Sequence, residues 1–396
     1  MKGCSWGGMD DEEGLAKKGY RNMQLRKLEN NEHGLTRSLW EQVFSEDSRE
    51  FLDYYYFIKT RDNQIYVIEE DGTIRSMLQL NPYLLRTGEQ EYLAEYIIAV
   101  ATEEGYRRRG YMGLLLNRAM TDMYAQKQPF TFLMPAAEAI YTPYDFRFIY
   151  AQNQEESQGE RGEPQIEVAE AAMRDAGSMA EFFNRHFKDK YQVCAVRDEK
   201  YYQTMILEQQ SENGGVRLLK RDGQIVGMFA YAQEESVEIR EPLYLQEYEG
   251  DFEKIIRKLK EESAGTVKIF AGKDSHDSRK VPVIMARILH LETMFSLLKT
   301  KEGKDIDCSF AVLDSIITKN SKVWRLQSFE DNRQIQVRET EDSEGVLTIG
   351  ALASLLFGYK AVEEIKNEEN VVISDRLEEE LGKIETLNRV FLNEIV

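Results

Sequence analysis

Hydrophobic positions along this chain switch repeatedly between two periods, and the switches outline its elements. Residues 35–44 carry helical spacing. Residues 64–69 read as a strand, Asp71-Gly72 as a hairpin turn, and 74–80 as the partner strand. Asn81-Pro82 is expected to end that hairpin. An apolar run over 95–102 predicts another strand. After it, Met112, Leu115, Leu116, Ala119, Met120 and Met123 recur at i, i+3, i+4, i+7, i+8 and i+11, one face of a helix reaching Gln126. Residues 131–134 read as the next strand. Strand, helix and strand in this order predict a mixed α/β domain over 20–150, with any ligand at a strand's C-terminal end.

Residues 151–164 are polar and aperiodic, and predict a linker or exposed loop. Residues 165–279 repeat the first scheme: a helix over 175–186, a strand at 216–220, a turn at Arg221-Asp222-Gly223-Gln224, and a strand at 225–232. Residues 280–396 have a different texture. Helical spacing covers 281–299, and 308–316, 322–329 and 334–339 read as successive strands. Leu347-Thr348-Ile349-Gly350 leads into a helix, 351–357, stopped by Gly358. Residues 361–380 hold eight acids and two bases, the pattern of a solvated helix face.

Composition narrows the class. A chain of 396 residues exceeds one ordinary core, so two or three domains are expected. Apolar residues make up 42% and aromatics 11%, enough to build those cores. Cys4, Cys194 and Cys308 have no paired spacing, so neither a disulfide framework nor a metal site is expected, and a reducing cytoplasm follows. No run reaches the ~18–20 apolar residues of a membrane helix. Residues 1–19 have acids at 10–13 and no apolar signal region, and read as a flexible leader. The net charge of −19 repels nucleic acid and attracts amines such as polyamines, aminoglycoside-like compounds and lysine side chains.

The chemistry concentrates between the 95–102 strand and the helix that follows. There the chain reads Glu103-Glu104-Gly105-Tyr106-Arg107-Arg108-Arg109-Gly110-Tyr111-Met112-Gly113. A helix N-terminus offers free N–H groups and the positive end of its dipole, glycine lets backbone approach an anion, and guanidinium adds bidentate charge. Residues 107–113 therefore describe a pyrophosphate cradle; a solvated turn before a core helix is the plainer alternative. The common nucleotide motifs are absent. No G-x-G-x-x-G occurs, and Gly272-Lys273 lacks both the earlier glycine (Val267) and the following hydroxyl residue (Asp274).

This stretch resembles the acetyl-CoA motif of the GNAT N-acetyltransferases, [RQ]-x-x-G-x-[GA]. Arg107 and Gly110 match it, and Met112 departs from the small last residue. The departure is similar to the enhanced-intracellular-survival (Eis) branch. So are Val100-Ala101-Thr102 before the loop, Phe132-Leu133-Met134-Pro135, the segment Ile140-Tyr141-Thr142-Pro143-Tyr144-Asp145-Phe146, and the end Phe391-Leu392-Asn393-Glu394-Ile395-Val396. The resemblance implies an α/β chain of mixed sheets: a catalytic GNAT domain (20–150), a second, degenerate one without a cradle (165–279), and a sterol-carrier-like domain (280–396). It also implies acetyl-CoA as co-substrate and a hexamer. CoA would be held by Val100, Ala101, Thr102, Arg107, Arg108, Arg109, Gly110, Tyr111, Met112 and Gly113. Tyr141 would be the general acid and the α-carboxylate of Val396 the general base, with Glu394 as alternative base or ammonium anchor. His33, His186, His276 and His290 lie in unrelated segments. From another class, a non-catalytic carrier using the last domain for lipid stays open.

Overall fold

The computed structural model describes residues 23–233, 236–263, 265–273, 278–329 and 332–394. The expected leader over 1–19 and Val396 lie outside them. In chain order the first elements are β1 (Met23–Lys27), α1 (Arg37–Val43), α2 (Arg49–Phe57), β2 (Gln64–Glu70), β3 (Thr73–Thr87), β4 (Gln90–Thr102), α3 (Tyr111–Ala125), β5 (Phe130–Leu133) and α4 (Glu138–Tyr141). There follow β6 (Arg147–Ser157), β7 (Glu167–Glu170), α5 (Ala176–His186), β8 (Val193–Ala195), α6 (Glu199–Ser211), β9 (Gly215–Arg221), β10 (Gln224–Gln233), β11 (Val237–Tyr244), α7 (Glu249–Ser263) and β12 (Val267–Phe270). The last third contributes β13 (Arg279–Ile288), α8 (Leu291–Ser296), β14 (Lys299–Thr300), β15 (Asp307–Leu313), β16 (Val323–Phe329), β17 (Asn332–Thr340) and β18 (Gly345–Thr348). It closes with α9 (Ile349–Leu356), α10 (Val362–Ile365), β19 (Val372–Ile373), α11 (Asp375–Leu381), β20 (Ile384–Glu385) and β21 (Val390–Phe391).

The chain divides into two compact units, each assembled from separated segments. The first combines residues up to Ser45 with Thr60–Ile149 and Ile284–Asn388. One of its sheets runs β1-β2-β3-β4-β5-β13, and a second runs β19-β18-β15-β16-β17-β14-β20. The apolar face of α3 folds as its spacing requires: Leu115, Leu116, Ala119, Met120 and Met123 are at most 1% exposed and pack with Tyr66, Leu78 and Ile97 of the sheet. The second unit combines Glu46–Lys59, Tyr150–Val283 and Arg389–Val396. Its sheet runs β6-β12-β11-β10-β9-β7, and β21 pairs in parallel with β8.

Four expectations from the sequence need correction. Asn81-Pro82 does not end the hairpin, because β3 continues to Thr87 opposite β4. Its pairing with β2 stops at Leu80, before Pro82, while its pairing with β4 runs on to Thr87. Residues 151–157 are strand β6, paired with β12, and only the remainder of 151–164 is loop. Residues 281–299 are no single helix. They form β13 and α8, and β13 shows no strand alternation because 284–288 are all buried, Arg287 included. The acidic segment 361–380 is no single helix: it holds α10, β19 and α11, with an ion pair from Lys366 to Glu378.

Candidate active site

Strand β4 is interrupted where the proposed ligand groups begin. Its register with β3 passes from Gln79↔Ile98 to Met77↔Ala101, so Ala99 and Val100 together oppose Leu78. Ala99 takes φ +51° to make this bulge, a left-handed conformation that an L residue rarely adopts. On the other flank β4 pairs with β5 only at Tyr96↔Phe132. The two parallel strands therefore separate towards Val100, Ala101 and Thr102, which leaves the backbone polar groups on that side for a ligand.

A single turn, Glu104–Tyr106, leads from β4 to α3. Gly110 caps α3 at φ +83°. The first bond to its carbonyl comes from the N–H of Leu114, 3.1 Å away, so the N–H groups of Tyr111, Met112 and Gly113 have no acceptor within the helix. Arg107, Arg108, Arg109 and Gly110 are exposed around this end. Arg107 donates to the carbonyl of Thr102 (3.2 Å), which ties the loop to the bulged strand. The guanidiniums of Arg109 and Arg75 lie on the ring of Tyr106, each 4.5 Å from its centre. Acids balance the rim: Arg75 pairs with Glu103 at 2.5 Å, and the Tyr111 hydroxyl donates to Glu70. Exposed guanidiniums, helix N–H groups outside the α3 ladder and an uncovered glycine are the chemistry that binds an anion such as a diphosphate.

Tyr141 ends α4 and belongs to the same core cluster as Tyr111, Leu115 and Phe146. Burial lifts its hydroxyl to about 12, which keeps it protonated at any physiological pH. Its partner in the segment, Tyr144, rests against the cradle: a Cβ built on Gly113 would lie 2.9 Å from the Tyr144 hydroxyl. A fully buried ion pair holds this segment. Arg287 donates to the carbonyl of Tyr144 (2.9 Å) and to Asp314 (2.6 Å), and Asp314 also accepts from the N–H groups of Ile316 and Ile317 and from Asn320. The first unit thus brings together the bulge, the cradle and Tyr141. Tyr144 was named only as part of the 140–146 segment, and Arg75, Arg287 and Asp314 were not singled out in the sequence. Those three come from remote segments, and no local spacing marks them.

The tail's side chains belong to the second unit. Glu394 is 3% exposed there, and Val396 is outside the described residues. That unit repeats the strand arrangement without the cradle. In β11 the register with β10 shifts from Leu243 to Arg240, and Glu241 in the bulge has φ +54°. β11 and β12 are parallel, as β4 and β5 are. But the connection to α7 is only Leu245–Tyr248, and the first turn of that helix carries Glu249 and Asp251. Carboxylates at a helix N-terminus occupy the position an anion would need.

Buried titratable groups also occur away from these features. Glu95 on β4 is fully buried and burial raises it to about 7, but its neighbours are Gln64 and Gln128, beyond the C-terminal end of α3. That is a helix length, about 22 Å, from the cradle. No group of three or more His, Cys, Asp or Glu side chains suited to a metal occurs among the described residues, and none of their helices is long and apolar enough to cross a membrane.

Comparison with known proteins identifies two domains in the chain. Residues 24–149 match the Acetyltransferase (GNAT) domain model, and residues 291–395 match the Sterol carrier protein domain model. No curated protein matches the chain. Among solved structures, a conserved protein of unknown function from Enterococcus faecalis, described as a probable N-acyltransferase, superposes with TM-score 0.79 at 17% identity, covering 95% of this chain and all of that one. A GCN5-related N-acetyltransferase from Anabaena variabilis gives TM-score 0.77 at 14% identity over 94% and 100% of the two chains. Eis1 from Mycobacterium abscessus gives 0.68 at 12% over 94% and 100%. The chain shares their fold of mixed α/β sheets, with GNAT-type and sterol-carrier-type parts. Residues 24–149 form a GNAT domain, residues 291–395 form a sterol carrier protein domain, and the protein is an acetyltransferase.

Proposed function

We propose that this chain is an acetyl-CoA-dependent N-acetyltransferase of the Eis type that acts on an amine. The observation that carries the reading is the exposed helix end at Gly110, with its three arginines, next to the bulge and open flank of β4. The residues fit the co-substrate: N–H groups of Tyr111, Met112 and Gly113 and the guanidiniums of Arg107, Arg108 and Arg109 hold the pyrophosphate, and the backbone of Val100, Ala101 and Thr102 lines the pantetheine arm. Bound acetyl-CoA supplies the activated acyl carbon.

The chain's own groups manage charge and protons. Backbone donors at the bulge face the carbonyl oxygen, where one such donor is worth about 3 kcal/mol in the transition state. The α-carboxylate of Val396 takes the proton of the attacking amine, with Glu394 as alternative. Tyr141 returns a proton to the departing sulfur, and its high affinity for protons keeps it in the acid form beforehand. The net charge of −19 favours cationic acceptors, whether polyamine, aminoglycoside-like or lysine amine.

The same reading assigns residues 20–150 to catalysis, 165–279 to a degenerate GNAT domain and 280–396 to a sterol-carrier-like domain, and places the enzyme in the cytoplasm as a hexamer. Leu84 and Leu93 support an oligomer: they face each other across the β3–β4 hairpin and are 46% and 41% exposed. A carrier role draws less support than the acetyltransferase reading, which the match of residues 24–149 to the GNAT domain model favours. The deciding experiment is an amine panel with acetyl-CoA, read by free thiol, on the intact chain, on Tyr141→Phe and on a chain cut after Glu394. Turnover by the intact chain with loss in both variants is expected. Full turnover by the shortened chain would remove the carboxylate from the mechanism.

A further inference from the structure

The second unit contains a buried charge cluster from which the proposed chemistry draws only Glu394, as the alternative base. Arg197 precedes α6 and is completely buried. Both arms of its guanidinium bond Glu241, the residue in the β11 bulge, and Glu394 lies 3.9 Å away. The rings of Phe183, Tyr201 and Phe391 surround it, with centres 4.7–4.9 Å from the guanidinium carbon. Asn393 donates to Glu241 (3.3 Å) and accepts from Tyr150 (2.9 Å) and Gln152 (3.2 Å). Tyr201 donates to Glu394 at 3.3 Å. Just upstream, Phe391 stacks on Tyr191 at 4.2 Å, and Val390 and Phe391 pair with Val193 and Cys194.

Two carboxylates share one guanidinium out of water, and one oxygen of Glu394 has no hydrogen-bond partner. Such a set is a poor way to gain stability, since apolar side chains of equal volume do at least as well. What it does supply is registry: a slip of the tail by one residue would leave Arg197 and Glu241 with the wrong side chains. The bulge that carries Glu241 matches the β4 bulge at Ala99, where the first unit lines its proposed acyl site.

We propose that the bulged strand of the second unit is a receptor for the chain's tail, and that Arg197 and Glu241 are positioning residues that fix Asn393 and Glu394 and through them the carboxyl end. The step to catalysis rests on the reading of the Val396 carboxylate as the base. Two residues of chain reach at most about 7 Å, so a fixed Glu394 sets where that carboxylate can act.

The test uses the full chain, Arg197→Lys, Asn393→Ala and the chain cut after Glu394. Lysine keeps the charge but loses the two-armed bond, and Asn393→Ala leaves no buried charge unpaired, so it decides the matter if the first variant does not fold. Carboxypeptidase digestion followed by mass spectrometry reads the tail directly. Release of Val396 and Ile395 is expected to accelerate about tenfold in both variants. Their kcat is expected to fall about 10- to 100-fold with the KM for acetyl-CoA within about twofold. Digestion at the wild-type rate in folded variants would overturn the receptor. If the cut chain turns over normally, the carboxylate reading fails, while the digestion result still decides the clamp. If the cut chain is dead but both variants digest and turn over like the wild type, the clamp fails and the carboxylate stands.

Discussion

Replacing Glu95 with glutamine separates a buried carboxylate that costs stability from one that does chemistry. Glu95 sits on β4, the strand that ends at the proposed acyl site, and its acidity near neutrality resembles that of a general base. One of its oxygens accepts from Gln64 at 3.0 Å, and the other has no hydrogen-bond partner. Burial raises it from 4.5 to about 7. The folded protein thus binds this proton more tightly than the unfolded chain. Its contribution to stability is complete below pH ~4.5 and is lost as pH rises through ~7. At about 1.4 kcal/mol for each tenfold change in proton affinity, the loss amounts to about 3 kcal/mol at pH 8, against about 1 kcal/mol at pH 5. Glutamine is neutral at both. Urea unfolding of the two proteins at pH 5 and pH 8 should therefore show the variant gaining roughly 2 kcal/mol on the wild type between the two conditions, with kcat kept. An unchanged stability difference between the two pH values would refute the burial argument. A large loss of kcat would instead place Glu95 in the mechanism.

Other outcomes follow from the same structure. Arg107→Ala and Arg108→Ala should raise the KM for acetyl-CoA about tenfold, more at low salt than at high, with kcat nearly unchanged; steady-state kinetics at two ionic strengths would show it. Gly113→Ala places a methyl 2.9 Å from the Tyr144 hydroxyl and should weaken acetyl-CoA binding by about 1 kcal/mol, measured by calorimetry. Arg287→Leu leaves Asp314 buried without its cation and should cost about 3–5 kcal/mol, seen as a lower unfolding midpoint. Leu84→Glu with Leu93→Lys should reduce the sedimenting species if the β3–β4 hairpin lies in the oligomer interface.

The exposed helix end at Gly110 was legible in the sequence because its parts are adjacent. The three arginines, Gly110 and the helix face from Met112 to Met123 follow one another without a gap, and helix physics relates them directly. The strand β13 was not, since a run buried on both faces has no alternation and mimics a helix. Nor was the continuation of β3 past Pro82: its partner there is β4, whose long pairing to Thr87 no local signal at Asn81-Pro82 announces. The Arg197 cluster takes its partners from β11 and from the tail, so nothing near Arg197 announces it. The pair Arg287–Asp314 likewise joins two segments that read separately, one the end of β13 and the other the loop after β15.

The segment lists of the two units have a consequence for synthesis. One needs residues up to Asn388 and the other needs Arg389 and beyond, and both also draw on segments made before Arg61. At roughly 5–20 residues per second, about 16–66 s of translation separate residue 60 from the last segments that complete the two units. Through that interval Phe51, Tyr55, Ile65 and Val67, all nearly inaccessible in the finished protein, belong to half-built cores. Slowing elongation should therefore lower the soluble yield rather than raise it.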